Sequence, residues 1–129
     1  MSKEYMNFVD SVTSDSTKQQ IDFIEALNIM EEQGAIPSRL LTTALGLNGE
    51  ASEFSELIKK CIFQGREYTD EVHAELKSEL SDIMWYIAQG CIALDTTIEE
   101  LMEINTHKLQ ERYPDGFDKN RSNKRYMNE

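Results

Sequence analysis

Cysteine is nearly absent: Cys61 and Cys91 are the only two, with no CxxC spacing between them. That excludes a disulfide framework and a cysteine-based zinc site; both fall on apolar helix faces and read as buried free thiols. Basic charge is also scarce, with 13 Lys and Arg against 24 Asp and Glu, a net charge of −11. A surface so acidic excludes a nucleic-acid polymer as direct partner, because phosphate neutralisation needs basic side chains. It leaves open a single nucleotide carried on a metal. The local exception is Lys119, Arg121, Lys124 and Arg125, which make residues 118–129 a basic tail. No apolar run reaches the roughly 18 residues of a membrane span, and the start, Met1-Ser2-Lys3-Glu4-Tyr5, has no signal-peptide hydrophobic region. A cytoplasmic protein without membrane attachment is expected. There is no Gly-rich phosphate loop and no Ser/His/Asp or Cys/His constellation. His73 and His107 are isolated, as surface or capping histidines usually are.

Strand-like alternation is missing too, and helical periodicity takes its place. Residues 1–14 show no clean period and are expected to form a loose arm or short helical turn. N-cap candidates at Ser14–Ser16 precede a pattern carried by Ile21, Ile24, Ala26, Leu27, Ile29 and Met30, which Gly34 should stop. Pro37 suits the first turn of a second helix, from about Ser38 to Phe63. Gly46 and Gly49 lie inside it, where glycine lets a neighbouring backbone or ligand come close. A third helix is expected over Asp70–Leu94 after Thr69 as N-cap, and Thr97-Ile-Glu-Glu100 matches a capping box for a fourth, ending near Arg112 before Pro114 and Gly116. The fold expected is all-α, one domain of four helices with short loops, the size fitting a single core.

Two of these helices repeat a carboxylate pattern. Leu47 to Ile58 carries Glu50 and Glu53; Leu76 to Ile87, offset by 29 residues, carries Glu79 and Asp82 in the same phase. On a helical wheel Glu50 lies between the directions of Phe54 and Leu57, inside an arc set by Leu47, Ala51, Phe54, Ile58, Cys61 and Ile62. Glu79 lies likewise between Ile83 and Tyr86, inside an arc set by Leu76, Leu80, Ile83, Ile87, Cys91 and Leu94. Glu53 and Asp82 sit at the rims, and Glu56 and Lys60 farther round in solvent. A carboxylate on an apolar arc must be paired, protonated or bound to a cation. For one such residue an ion pair is the ordinary explanation. The same pair in the same phase on two helices points instead to a shared site for a hard divalent ion, Mg²⁺ or Mn²⁺.

The fourth helix has a buried stripe of Ile98, Leu101, Met102 and Leu109, with Asn105 in its middle and Lys108 and Arg112 following at i+3 and i+7. Alone these would be bridges to glutamates. Beside a carboxylate–metal site they read as groups for phosphates and a sugar or base edge. Trp85 lies opposite the apolar face of the third helix, which suggests a homo-oligomer contact.

The ordered set of motifs from about Leu45 to Arg125 resembles the MazG-like nucleoside triphosphate pyrophosphohydrolases of the all-α NTP pyrophosphatase superfamily. The resemblance is carried by Gly46-Leu-Asn-Gly-Glu-Ala-Ser-Glu53, Leu57-Ile-Lys-Lys60, Glu79-Leu-Ser-Asp-Ile-Met-Trp-Tyr86, Asn105-Thr-His-Lys-Leu109 and Arg112-Tyr-Pro-Asp-Gly-Phe117, with Ser122 and Arg125 in the tail. The resemblance implies hydrolysis of a (deoxy)nucleoside triphosphate to the monophosphate and pyrophosphate. It implies that Glu50, Glu53, Glu79 and Asp82 bind Mg²⁺, with Glu50 and Glu53 also catalytic. Asn105 would touch the nucleoside, Lys108 and Arg112 the phosphates, with Lys59 and Arg125 as further substrate contacts, in a dimer or tetramer. Many relatives carry a second acid where this chain has Gly49, so the general base is left open, with Glu53 one choice.

Two other readings compete. A non-catalytic acidic interaction protein, such as a nucleic-acid mimic, suits the charge but gives no reason for Glu50 and Glu79 to share an apolar phase. A redox di-metal bundle would use Glu-x-x-His on two helices, and neither histidine here has a glutamate three residues earlier.

Overall fold

The long helices follow from the periodicity just described, and they appear in the computed structural model, which describes residues 2–124. The order is α1 (Lys3–Ser11), α2 (Asp15–Lys18), α3 (Gln20–Glu32), α4 (Pro37–Phe63), α5 (Asp70–Leu94), α6 (Ile98–Arg112) and α7 (Lys119–Lys124). The fold is all-α, with no strand among the described residues. Pro37 does open α4. Thr69 Oγ1 accepts from the Val72 amide at the head of α5, and Thr97 Oγ1 accepts from the Glu100 amide at the head of α6. Two expectations are corrected. Residues 3–11 form a nine-residue helix rather than a loose arm, capped by Ser2 Oγ accepting from the Tyr5 amide. The first long helix is broken at Gln19, whose extended backbone (φ −125°, ψ 122°) separates α2 from α3.

By internal contacts the chain divides into two units, Met1–Leu94 and Asp95–Glu129. The first is organised by α4 and α5, joined through residues 64–69. Gly65 (φ 69°) makes the turn possible, since that left-handed backbone is easy only for glycine. Arg66 donates to Glu75 at 3.0 Å, and the Tyr68 hydroxyl is hydrogen-bonded to His73 Nδ1 at 2.6 Å. These bonds hold the turn onto the first turns of α5. The two helices run antiparallel, and their contacts fix the register. A Cβ built on Gly46 would fall 2.0 Å from Tyr86 Cε1, and one on Gly90 would fall 3.1 Å from Thr43 Cγ2. Gly46 therefore admits a side-chain ring, that of Tyr86, where a backbone or ligand was expected, and a Cβ on Gly49 would meet nothing within 4 Å.

The core of this unit is small. Leu57, Val72 and Cys91 are its buried apolar side chains, with Val72 only 1% exposed; Cys61 is half-buried, and both thiols are free. Full burial of a side chain like Val72 stabilises by ~1.5–3 kcal/mol. Much of the arc expected to be buried is not. Ile62 on α4 and Leu80 and Leu94 on α5 are exposed, as are Met84, Trp85 and Ile92. The wheel gave the directions of these side chains but not whether a neighbour lies there. In the second unit α6 carries no buried residue. Its companion α7 is six residues long, too short to cover the expected stripe, and Met102 and Leu109 stay exposed.

Candidate metal centre

Glu50 and Glu53 stand three apart on α4, so their carboxylates project within one turn of each other. The antiparallel register brings Glu79 of α5 opposite them. One carboxylate oxygen from each of Glu50, Glu53 and Glu79 lies within 4.8 Å of the other two. Glu50 and Glu79 are half-buried and Glu53 is exposed, in keeping with an inward pair and a rim residue. Asp82 does not join the three; it is exposed on α5. A step of three residues turns a side chain about 60° away from Glu79, and aspartate is one methylene shorter than the glutamate at the matching position of α4.

The electrostatics of this cluster are strained. Glu50 Oε2 and Glu79 Oε2 are enclosed and have no hydrogen-bond partner among the described residues. Among the described residues, no cationic side chain pairs with any of the three. An enclosed, unpartnered carboxylate oxygen is costly, and three carboxylates this close repel. The Glu79 carboxyl is pushed up from 4.5 to about 7, first by loss of hydration and then by the neighbouring carboxylates of Glu50 and Glu53. Glu79 as a whole is half-buried, so the desolvation is local to the enclosed oxygen. Hard, anionic oxygens that lack donors and crowd one another are what Mg²⁺ or Mn²⁺ takes as ligands. The residues fit such an ion.

The other expected site residues are placed as follows. Lys59 is exposed and paired with Glu56 at 3.0 Å, so its free charge is already engaged. Asn105 and Lys108 lie on α6 and are exposed, not on the edge of a buried stripe as their spacing suggested. Arg112, in the last turn of α6, is half-buried, with its guanidinium carbon 5.8 Å from the centre of the Tyr113 ring. Its carbonyl accepts a hydrogen bond from Arg121. Arg125 lies outside the described residues. The sequence reading overlooked one polar feature of the first unit, a hydrogen bond of 2.7 Å from Arg39 Nη1 on α4 to Gln89 Oε1 on α5. Fifty residues separate the two, and neither belongs to a motif.

Residues 39–117 match the MazG nucleotide pyrophosphohydrolase domain. The chain is also similar to the Gene 37 protein of Mycobacterium phage L5, 39% identical over 70 residues, which are 53% of this chain and 60% of that protein. The chain thus spans less than two thirds of this relative's length. No solved structure matches significantly.

Proposed function

Because the chain belongs to the MazG nucleotide pyrophosphohydrolase domain family, matched over 39–117, we propose that it hydrolyses (deoxy)nucleoside triphosphates to the monophosphate and pyrophosphate in a Mg²⁺-dependent reaction. The observation that carries this reading is the pair of enclosed, unpartnered oxygens on Glu50 and Glu79 inside a three-carboxylate cluster. Glu50, Glu53 and Glu79 would hold the ion, with Asp82 as the proposed fourth ligand. A bound divalent ion supplies charge neutralisation on the phosphates and makes water more acidic. Glu53, the exposed member of the cluster, would accept the proton of an attacking water. The water oxygen bonds to the α-phosphorus, the bond to the β-phosphate bridge breaks, and pyrophosphate leaves. Lys108 and Arg112 would bind the phosphates and stabilise charge on the leaving group, and Asn105 would contact the nucleoside.

A screen of all (d)NTPs with Mg²⁺ tests the reading. Pyrophosphate and monophosphate in equal amounts are expected, and orthophosphate as the sole phosphate product would contradict it. We also propose a homo-oligomer that covers the side of α5 containing Met84, Trp85 and Ile92, which otherwise stays exposed. Trp85→Glu is expected to lower the mass measured by sedimentation equilibrium; an unchanged mass would remove this face from the interface.

A further inference from the structure

The Arg39–Gln89 bond bounds a cavity of about 390 Å³ in the first unit, lined by Ile36, Ser38, Arg39, Thr42 and Gln89. The bond fixes the chemistry of the cavity. A guanidinium has no acceptor, so the Gln89 oxygen must face it, and Gln89 is left to offer its Nε2 donors. Arg39 keeps its remaining N–H groups. The Thr42 hydroxyl proton is engaged by the Ser38 carbonyl at 3.0 Å. Among the described residues no carboxylate lines this cavity, in a chain with 24 acidic residues. Arg39 and Gln89 therefore face the cavity with donors, beside the hydroxyl oxygens of Ser38 and Thr42.

Its position relates it to the carboxylate cluster. Arg39 and Glu50 are eleven residues apart on α4, three turns, so they share a face and stand about 16 Å apart along the axis. Gly46, with the Tyr86 ring against it, lies on the same seam between them. That separation matches an extended nucleoside triphosphate, whose phosphates and outer base edge lie at opposite ends.

We propose that Arg39 and Gln89 read the base of the substrate and select bases that present carbonyl oxygens, guanine, uracil and thymine, over adenine and cytosine. This rests on the pyrophosphohydrolase reading. Guanine offers O6 and N7 as acceptors, and uracil and thymine offer O4. Adenine and cytosine present an amino group at the same edge, where it would meet donors. Donors on Arg39 and Gln89, both half-buried, are matched by carbonyl oxygens and opposed by an amino group, which sets one edge above the other.

Gln89→Glu is the discriminating variant. It keeps, and charges, the tie to Arg39, but replaces the Nε2 donors with an acceptor. The measurement is kcat/KM for pyrophosphate release from each (d)NTP, with the melting temperature as a check on the tie. The wild type is expected to favour carbonyl bases over amino bases by at least about tenfold, and Gln89→Glu to reduce that ratio by at least about tenfold with the melting temperature held. A wild type without that preference, or a variant with the wild-type ratio, overturns base reading and leaves the tie as structural. Pyrophosphate from no nucleotide would overturn the parent reading as well, so the two failures are distinct. If the variant does not fold, the wild type decides: GMP with Mg²⁺ should shift the Gln89 side-chain amide resonance and AMP should not. Equal shifts, or none, overturn the proposal.

Discussion

Glu79→Gln is expected to abolish pyrophosphate release while leaving a protein that melts at a higher temperature than the wild type in the presence of a chelator. The two effects have one cause. Glu79 faces Glu50 and Glu53 with one oxygen enclosed and unpartnered, so its charge destabilises the metal-free protein and serves only when a cation is bound. The amide has nearly the same shape, removes the charge, and can donate to Glu50. Activity should fall by about a thousandfold or more, ~4 kcal/mol in the barrier. Glu53→Gln and Asp82→Asn are expected to lose turnover as well, with their helices intact by circular dichroism. Near-normal activity in the Glu79 or Glu53 variant would sink the cluster as the metal site. Near-normal activity in Asp82→Asn alone would limit the ligand set to the three grouped glutamates.

The second large effect is a pH dependence that Mg²⁺ removes. Glu79 is held up to about 7 from 4.5, with desolvation the leading cause. A carboxyl raised in the folded state binds its proton more tightly there than in the unfolded chain. Its contribution to stability is therefore fully present below about pH 4.5 and is lost as pH rises through about 7. In chelator, the melting temperature of wild type relative to Glu79→Gln should fall between about pH 5 and pH 7.5. With Mg²⁺ the ion competes with that proton, so the increase in melting temperature on adding Mg²⁺ should grow over the same range. Differential scanning fluorimetry of both proteins, with and without Mg²⁺, measures all four curves. A Mg²⁺-induced shift independent of pH would mean that Glu79 is not a ligand.

Much of the scaffold under these predictions was readable from local pattern. α5 begins and ends at the expected residues, α4 differs by one residue at its start, and α6 starts behind the expected Thr97 cap. Caps, periodicity and glycine stops are properties of a few neighbouring residues, which is why they could be read. α1 escaped because its nine residues are too few to establish a period, and the break at Gln19 has no proline or glycine to mark it. The carboxylate repeat located Glu50, Glu53 and Glu79 because one wheel phase recurred on two helices. Asp82 shares that phase but stands apart from the three, since phase does not register the length of a side chain. The Arg39–Gln89 bond was invisible, because it depends on the relative register of two helices, and that register is set by the Tyr86 ring on Gly46 and the Thr43 methyl at Gly90. Burial was the least readable property: Ile62, Leu80 and Leu94 have the right phase for a core and are exposed.

The contact at Gly46 reaches further than packing. Glu50 is one turn along α4 from this glycine, and Glu79 is two turns along α5 from Tyr86, so both carboxylates hang from backbones whose spacing is set where a side chain is missing. The aperture between them, and hence the ionic radius the proposed site would close upon, would be governed by a residue that does not itself touch the ion.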